Sequence, residues 1–295
     1  MPFLSVAAVV STEAKMRIVK RILSVMLLLC LISGFAGAEA PEDPDSVTVL
    51  DYGDKWHPFP SIVAEIEKHP NLERVIMYGT PVGIVNIGKL TKRFPNITFE
   101  WTIRFKEHSV RTDTTAFALR HTRFSLHHLN IQIALFRFCT KLKALDVSYN
   151  YCNELSFTSG MKDLRVLVIT NNHVSDLTPL ADRNHLEYLD VTSNDIRDVT
   201  PLTGLTHLMD LNLSDNDIED LTPLAKMTWL KRLWLCKVPG ATAEAVQMLK
   251  EALPDTEICT TDQSAWASHP HYTHIHTMFN RNKGYVPFDD SWPEE

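Results

Sequence analysis

The sequence is poor in the features that announce chemistry. It holds no nucleophile motif, no phosphate loop and no metalloprotease helix, so nothing in it points to a catalytic mechanism, a cofactor or a metal. Positive charge is scarce: 29 Lys and Arg stand against 36 Asp and Glu, a net charge of −7 over 295 residues. An acidic chain is a poor binder of nucleic acid or of an anionic membrane surface. Cysteine is limited to five positions. A single long apolar run occurs, at the N-terminus, and no apolar segment or sorting-type tail follows at the other end.

That run begins at Met16. Arg17, Lys20 and Arg21 form a basic region, Ile22 to Ile32 an apolar one, and Ala36-Gly37-Ala38 a small-residue cleavage site. Residues 1–38 therefore read as a secretory signal peptide with an upstream extension, cleaved near Ala38. The alternative is an uncleaved anchor, for which the apolar run is somewhat short of the roughly 20 residues a span needs. Three leucines precede Cys30, so it does not mark a lipoprotein. The removed segment carries Glu13 against Lys15, Arg17, Lys20 and Arg21, so cleavage takes the net charge from −7 to −10. Residues 39–46 read as a short disordered lead.

What the sequence does have is a period. Leu142, Leu164, Leu186, Leu208 and Leu230 are 22 residues apart. Each is followed at +3 by Leu145, Leu167, Leu189, Leu211 or Leu233, and at +5 by Val147, Ile169, Val191, Leu213 or Leu235. Asn150, Asn172, Asn194 and Asn216 stand at +8 in four units. The alternating Leu-x-Leu segment predicts a short strand with one buried face. The asparagine falls where the chain must leave the strand, and its amide can bond backbone groups that the turn leaves unpaired. Thr-Pro-Leu at Thr178, Thr200 and Thr222 favours a compact return over a long helix. One unit cannot bury its apolar face alone, so the units must stack.

This pattern resembles the leucine-rich repeat family, in the 22-residue internalin-like form found in secreted bacterial proteins. The resemblance lies mostly in residues 142–238. It implies an α/β fold: a right-handed solenoid with a parallel sheet on its concave face.

Residues 47–141 echo the pattern loosely. Strands are expected around Val49, Val75–Met77, Phe99–Ile103 and Phe117–Leu119, and helices within Pro60–His69, Val82–Phe94 and Leu126–Phe138. A loop or hairpin is expected over Lys106–Asp113. Such spacing suits irregular N-terminal repeats continuous with the regular ones, in preference to a separate cap domain. Residues 239–259 read as a C-terminal cap, with a helix over Thr242–Leu253 capped by Thr242 and a last strand at Thr256–Cys259. Residues 260–295 form an aromatic, histidine-rich tail, expected to fold over that cap.

Four cysteines remain after cleavage. Aligning Leu235 with Ile258 puts Cys236 beside Cys259, a disulfide candidate in an oxidising compartment. Cys152 and Cys139 occupy core positions. His269, His271, His274 and His276 lack a second contributing segment and read as the polar face of a terminal helix rather than as metal ligands. Asp176, Asp198 and Asp220 recur on the return turn, where they are expected to cap turns or face solvent.

Function is expected on the strand positions that the leucines leave over. Asp146, Val168, Tyr188, Asp190, Asp210, Asn212, Arg232 and Trp234 fall on the concave side. Their aromatic, arginine and acidic character suits a protein partner. The expected function is thus a secreted, non-enzymatic recognition protein that is not inserted in the membrane once its signal is cleaved. The alternative is a structural envelope spacer with no specific ligand.

Overall fold

A computed structural model describes residues 44–104, 108–120, 133–261, 269–280, 288 and 291. The signal-peptide reading, most of the 39–46 lead and the expected helix start near Leu126 lie outside these residues. Pro44–Ser46 is a short 3₁₀ turn, and the residues from Thr48 onward form one compact unit.

That unit opens with β1 (Val49–Asp51), α1 (Phe59–Ile66), β2 (Arg74–Met77), α2 (Ile84–Arg93) and β3 (Thr98–Arg104). The three strands are parallel, with Leu50 opposite Val75 and Val75 opposite Phe99. Both helices enclose the sheet with Ile62, Ile66, Ile87 and Leu90, and Pro60 occupies the first turn of α1, where its missing N–H costs nothing.

Next comes β4 (Ser109–Arg111), which pairs antiparallel with β3 and closes a four-stranded sheet, order β1-β2-β3-β4. The sheet expected to run unbroken through the irregular repeats is therefore divided here, because a hairpin occupies the edge of β3. Packing nevertheless crosses the break. The Trp101 and Phe138 rings meet at 5.1 Å, and Lys141 donates to buried Glu100 at 2.8 Å. Burial pushes the Glu100 carboxyl up, but hydrogen bonds from Lys141 and Tyr78 outweigh it and hold the group below its ordinary range.

The second sheet has seven strands, all parallel: β5 (Ala116–Ala118), β6 (Ala144–Asp146), β7 (Val166–Val168), β8 (Tyr188–Asp190), β9 (Asp210–Asn212), β10 (Arg232–Trp234) and β11 (Glu257–Cys259). Leu145, Leu167, Leu189, Leu211 and Leu233 lie in one row across it, so the 22-residue period is also the strand register. All five are fully buried, as are Val147, Ile169, Val191, Leu213 and Leu235.

Each strand is only three residues long because the chain turns off it at once. Tyr149, Asn171, Ser193, Asp215 and Lys237, again 22 apart, adopt a left-handed conformation with φ of 54–57°. The following asparagine stabilises that turn. Asn194 Nδ2 donates to the carbonyls of Val191 and of Ile169 in the preceding unit, both at 2.9 Å, and its Oδ1 accepts from Val174 N–H at 3.0 Å. Asn172 and Asn216 repeat this arrangement, and Asn150 donates to the Val147 and Leu119 carbonyls. The amides thus satisfy buried backbone groups between stacked turns. Asp176, Asp198 and Asp220 accept from the N–H two residues on, at the start of the Thr-Pro-Leu 3₁₀ turns. Gly160 sits where neighbouring turns touch: a Cβ there would lie 2.0 Å from the Arg137 carbonyl oxygen.

The stack closes with α3 (Ala243–Ala252), whose N-cap Thr242 accepts from Ala245 N–H at 3.2 Å. β11 then pairs with β10, placing Trp234 opposite Cys259. Cys236 is therefore two residues out of register with Cys259 instead of beside it, and both are thiols. The cap helix lengthens this last unit, so the alignment of Leu235 with Ile258 does not hold.

Candidate functional site

The concave face is set by alternation. In each three-residue strand the central leucine points into the solenoid, and its two neighbours point the other way. Two columns result: Ala116, Ala144, Val166, Tyr188, Asp210 and Arg232 in one, and Ala118, Asp146, Val168, Asp190, Asn212 and Trp234 in the other. Every residue expected to contact a partner is on this face.

None of them is open to solvent. Tyr188 and Asp146 are 0 % exposed, and Asp190 and Arg232, the most exposed of the eight, reach only 4 %. The cover is α4 (Pro270–Asn280), the helix of the histidine-rich tail. It lies in the concave face, not over the C-terminal cap as expected. Its buried side, His271, Ile275, Met278 and Phe279, follows the i, i+4, i+7, i+8 spacing of an amphipathic helix. Ile275, Met278 and Phe279 join Ala116, Ala144, Val166, Val168, Tyr188 and Trp234 in one apolar cluster.

Charge organises the two ends of the seat. At one end Arg232 donates through Nε to Asp210, and His271 Nδ1 lies 2.7 Å from both Asp210 Oδ2 and Arg232 Nη2. One ring nitrogen can serve only one of them at a time. At the other end Arg120, just beyond β5, is ion-paired with Asp146, and its Nη2 is 3.4 Å from His276 Nδ1. Rings fill the space between: Tyr272 stacks on His276 at 3.9 Å, and His269 meets Trp234 edge-on at 6.5 Å. α4 thus crosses the strands from β10 towards β5. Phe288, further along the tail, donates its N–H to Thr115 Oγ1 at 2.8 Å, and its ring lies 5.0 Å from the Arg165 guanidinium.

Two of the acidic residues also have a local task. Asp146 Oδ1 accepts from Ser148 N–H and Oγ at 2.9 and 2.6 Å, and Asp190 Oδ1 accepts from Thr192 N–H and Oγ1 at 3.0 and 2.7 Å. Asn212 does the same for Ser214 N–H at 3.1 Å. These are side-chain turns closing the strand ends, and the Asp/Asn-x-Ser/Thr spelling is their signal. Arg120, His271, His276, Ile275 and Phe279 had no place in the expected site. The repeat period does not reach the tail, and Arg120 lies before the first regular unit.

A family model described as Leucine Rich repeat matches residues 184–199 and 204–221, within the strands, asparagine turns and 3₁₀ returns described above. Over those residues the repeats are leucine-rich repeats. Similar solved structures include an internalin (inlF) of Listeria monocytogenes, 20 % identical over 70 % of this chain and 67 % of that one, with a TM-score of 0.44. Internalin C2 of the same organism is 24 % identical over 67 % and 84 % of the two chains, with a TM-score of 0.38. A leucine-rich repeat protein of Leptospira interrogans is 16 % identical over 74 % and 55 %, at 0.37. No curated protein matches significantly.

Docking of the tail alters its own titration. Burial, then the Arg120 charge, push His276 down to about 4, with Asp146 opposing. His269 is lowered by burial, then by Arg232 and His271, against Asp210 and Glu257. Burial, then the Asp190 charge, raise the Tyr272 hydroxyl. Among the described residues no three His, Cys, Asp or Glu side chains are grouped to hold a metal, and no helix is long and apolar enough to cross a membrane. A leucine-rich repeat fold is a protein-interaction module.

Proposed function

We propose that this is a secreted recognition protein that binds another protein through its concave face and performs no catalytic step. The observation that carries the reading is that this face holds a helix already. It does so through an apolar centre flanked by the Asp210–Arg232 and Asp146–Arg120 pairs. Central apolar and aromatic anchors with charged groups around them are the anatomy of a protein–protein contact. Secretion rests on the basic and apolar segments from Met16 to Ala38, and the mass of the exported chain should match a start near Glu39.

A second reading, a structural envelope module with no ligand, draws on the near-complete cover over the same face. The two separate in a capture experiment. The full chain is compared with a Tyr188→Ala, Trp234→Ala double variant for retention of a protein from its native surroundings, with the thermal transition followed in parallel. Capture lost while the repeat transition survives supports recognition. Unchanged capture rejects the concave face as the binding surface.

A further inference from the structure

The cover over the concave face is built differently from the interior of the same strands. Inside, the buried apolar positions are leucine, isoleucine, valine, phenylalanine, methionine and cysteine. Under α4 the buried side chains include Asp146, Asp190, Asp210, Asn212, Arg232 and His271. A permanent cover needs no such groups, because apolar packing of the same volume holds at least as well as a buried ion pair. A surface that is also exposed to water does need them, to stay soluble when bare.

The fit of α4 is moreover incomplete. His276 Nε2 is buried with no hydrogen-bond partner among the described residues. The helix has no acidic residue in its first turn and no basic one in its last, so nothing on it complements its dipole. At 11 residues it is too short to persist as a helix away from the face. Ten residues of sequence, 260–269, separate it from β11.

We propose that α4 is a displaceable occupant of the concave face, and that the face accepts from its partner an amphipathic helix of the same chemistry. The helix that fits carries hydrogen-bonding side chains at i and i+5, as His271 and His276 do. These address the Asp210–Arg232 and Asp146–Arg120 pairs in turn. Apolar side chains at i+4, i+7 and i+8 fill the centre, as Ile275, Met278 and Phe279 do. The inference rests on the concave face being the recognition surface. It adds that the face is self-occupied until a competing helix arrives. A tethered occupant competes at an effective concentration on the order of millimolar, so the partner must be tight or must meet a chain whose tail is already released.

The test uses the full chain and a labelled peptide of residues 269–280. Ile275→Asp places a charge in the apolar centre and releases α4. The peptide is expected to bind this variant at least about tenfold more tightly than the wild type, whose own tail excludes it. A folded Ile275→Asp chain that binds the peptide no better than wild type overturns the proposal. Hydrogen exchange on the unmodified chain decides the matter even if the variant does not fold. The α4 amides should exchange through an opening at least about a hundredfold more frequent than that of β7–β9. Equal protection would make α4 part of the permanent core and would also overturn the proposal. Peptide binding without any protein captured by either chain would remove the recognition reading and leave the displaceable helix standing.

Discussion

The strands of the second sheet have two buried faces made on different terms. On β8, Leu189 and Tyr188 are equally inaccessible. Leu189 is one of five leucines in a row, identical from unit to unit, packed between neighbours of the same kind. Tyr188 shares its column with Ala144, Val166, Asp210 and Arg232. The interior repeats because each unit must match the next. The concave side varies because what covers it comes from elsewhere in the chain and touches each strand once. Burial alone therefore does not distinguish core from interface. Regularity does.

The largest expected effect sharpens that contrast from the interior side. Leu189→Ala should cost about 2–5 kcal/mol of unfolding free energy, read from denaturant titration, because a stacked core cannot collapse around the lost volume. Tyr188→Ala should instead release α4 while the repeats keep their transition. Asn194→Ala comes next. It removes three donated bonds and one accepted bond at the turns. About 2–3 kcal/mol should be lost, since each orphaned backbone group keeps its desolvation penalty. A loss as small as that of a surface substitution would remove the asparagine ladder from the list of what holds the stack.

Acid addresses the concave side through His276. Undocked, His276 titrates near its ordinary value of 6.5; docked, it is pushed down to about 4. Docking is therefore fully favoured above about 6.5 and weakens as pH falls from there towards 4, by at most about tenfold per unit. Tail exchange followed against pH should show this. His276→Gln should flatten the dependence, leaving only the contribution of His269. The smallest effect lies at the strand ends. Lys237 is exposed and left-handed, so Lys237→Gly should raise stability by about 0.5–1 kcal/mol, the relief of the left-handed strain less the entropy of glycine. A fall in the melting temperature would show that the turn needs the side chain.

Much of this was legible from spacing. The leucine row, the asparagine turns and the Thr-Pro-Leu returns follow from one period, because identical neighbours in register satisfy one another. Legibility failed where the period failed. The 22-residue step does not pass through the α3 unit, which is why Cys236 and Cys259 fall out of register. Nor does it reach the irregular repeats, where β4 splits the sheet. Asp146 and Asp190 were readable in part: their Ser or Thr two residues on marks a turn cap, a signal easily passed over when the same side chain also faces a candidate surface.

The 22-residue stretch by itself determined the solenoid, its strand register and which side of each strand the leucines leave over, since all three depend on contacts between adjacent, similar units. Only the tertiary structure decided that this side is occupied. An amphipathic helix carries a face to bury but no statement of where, and His271, Ile275, Met278 and Phe279 suit either the cap or the concave sheet by composition alone. The choice falls to the Asp210–Arg232 and Asp146–Arg120 pairs, groups distant in sequence that the folded stack places the right distance apart to meet the two histidines of one helix.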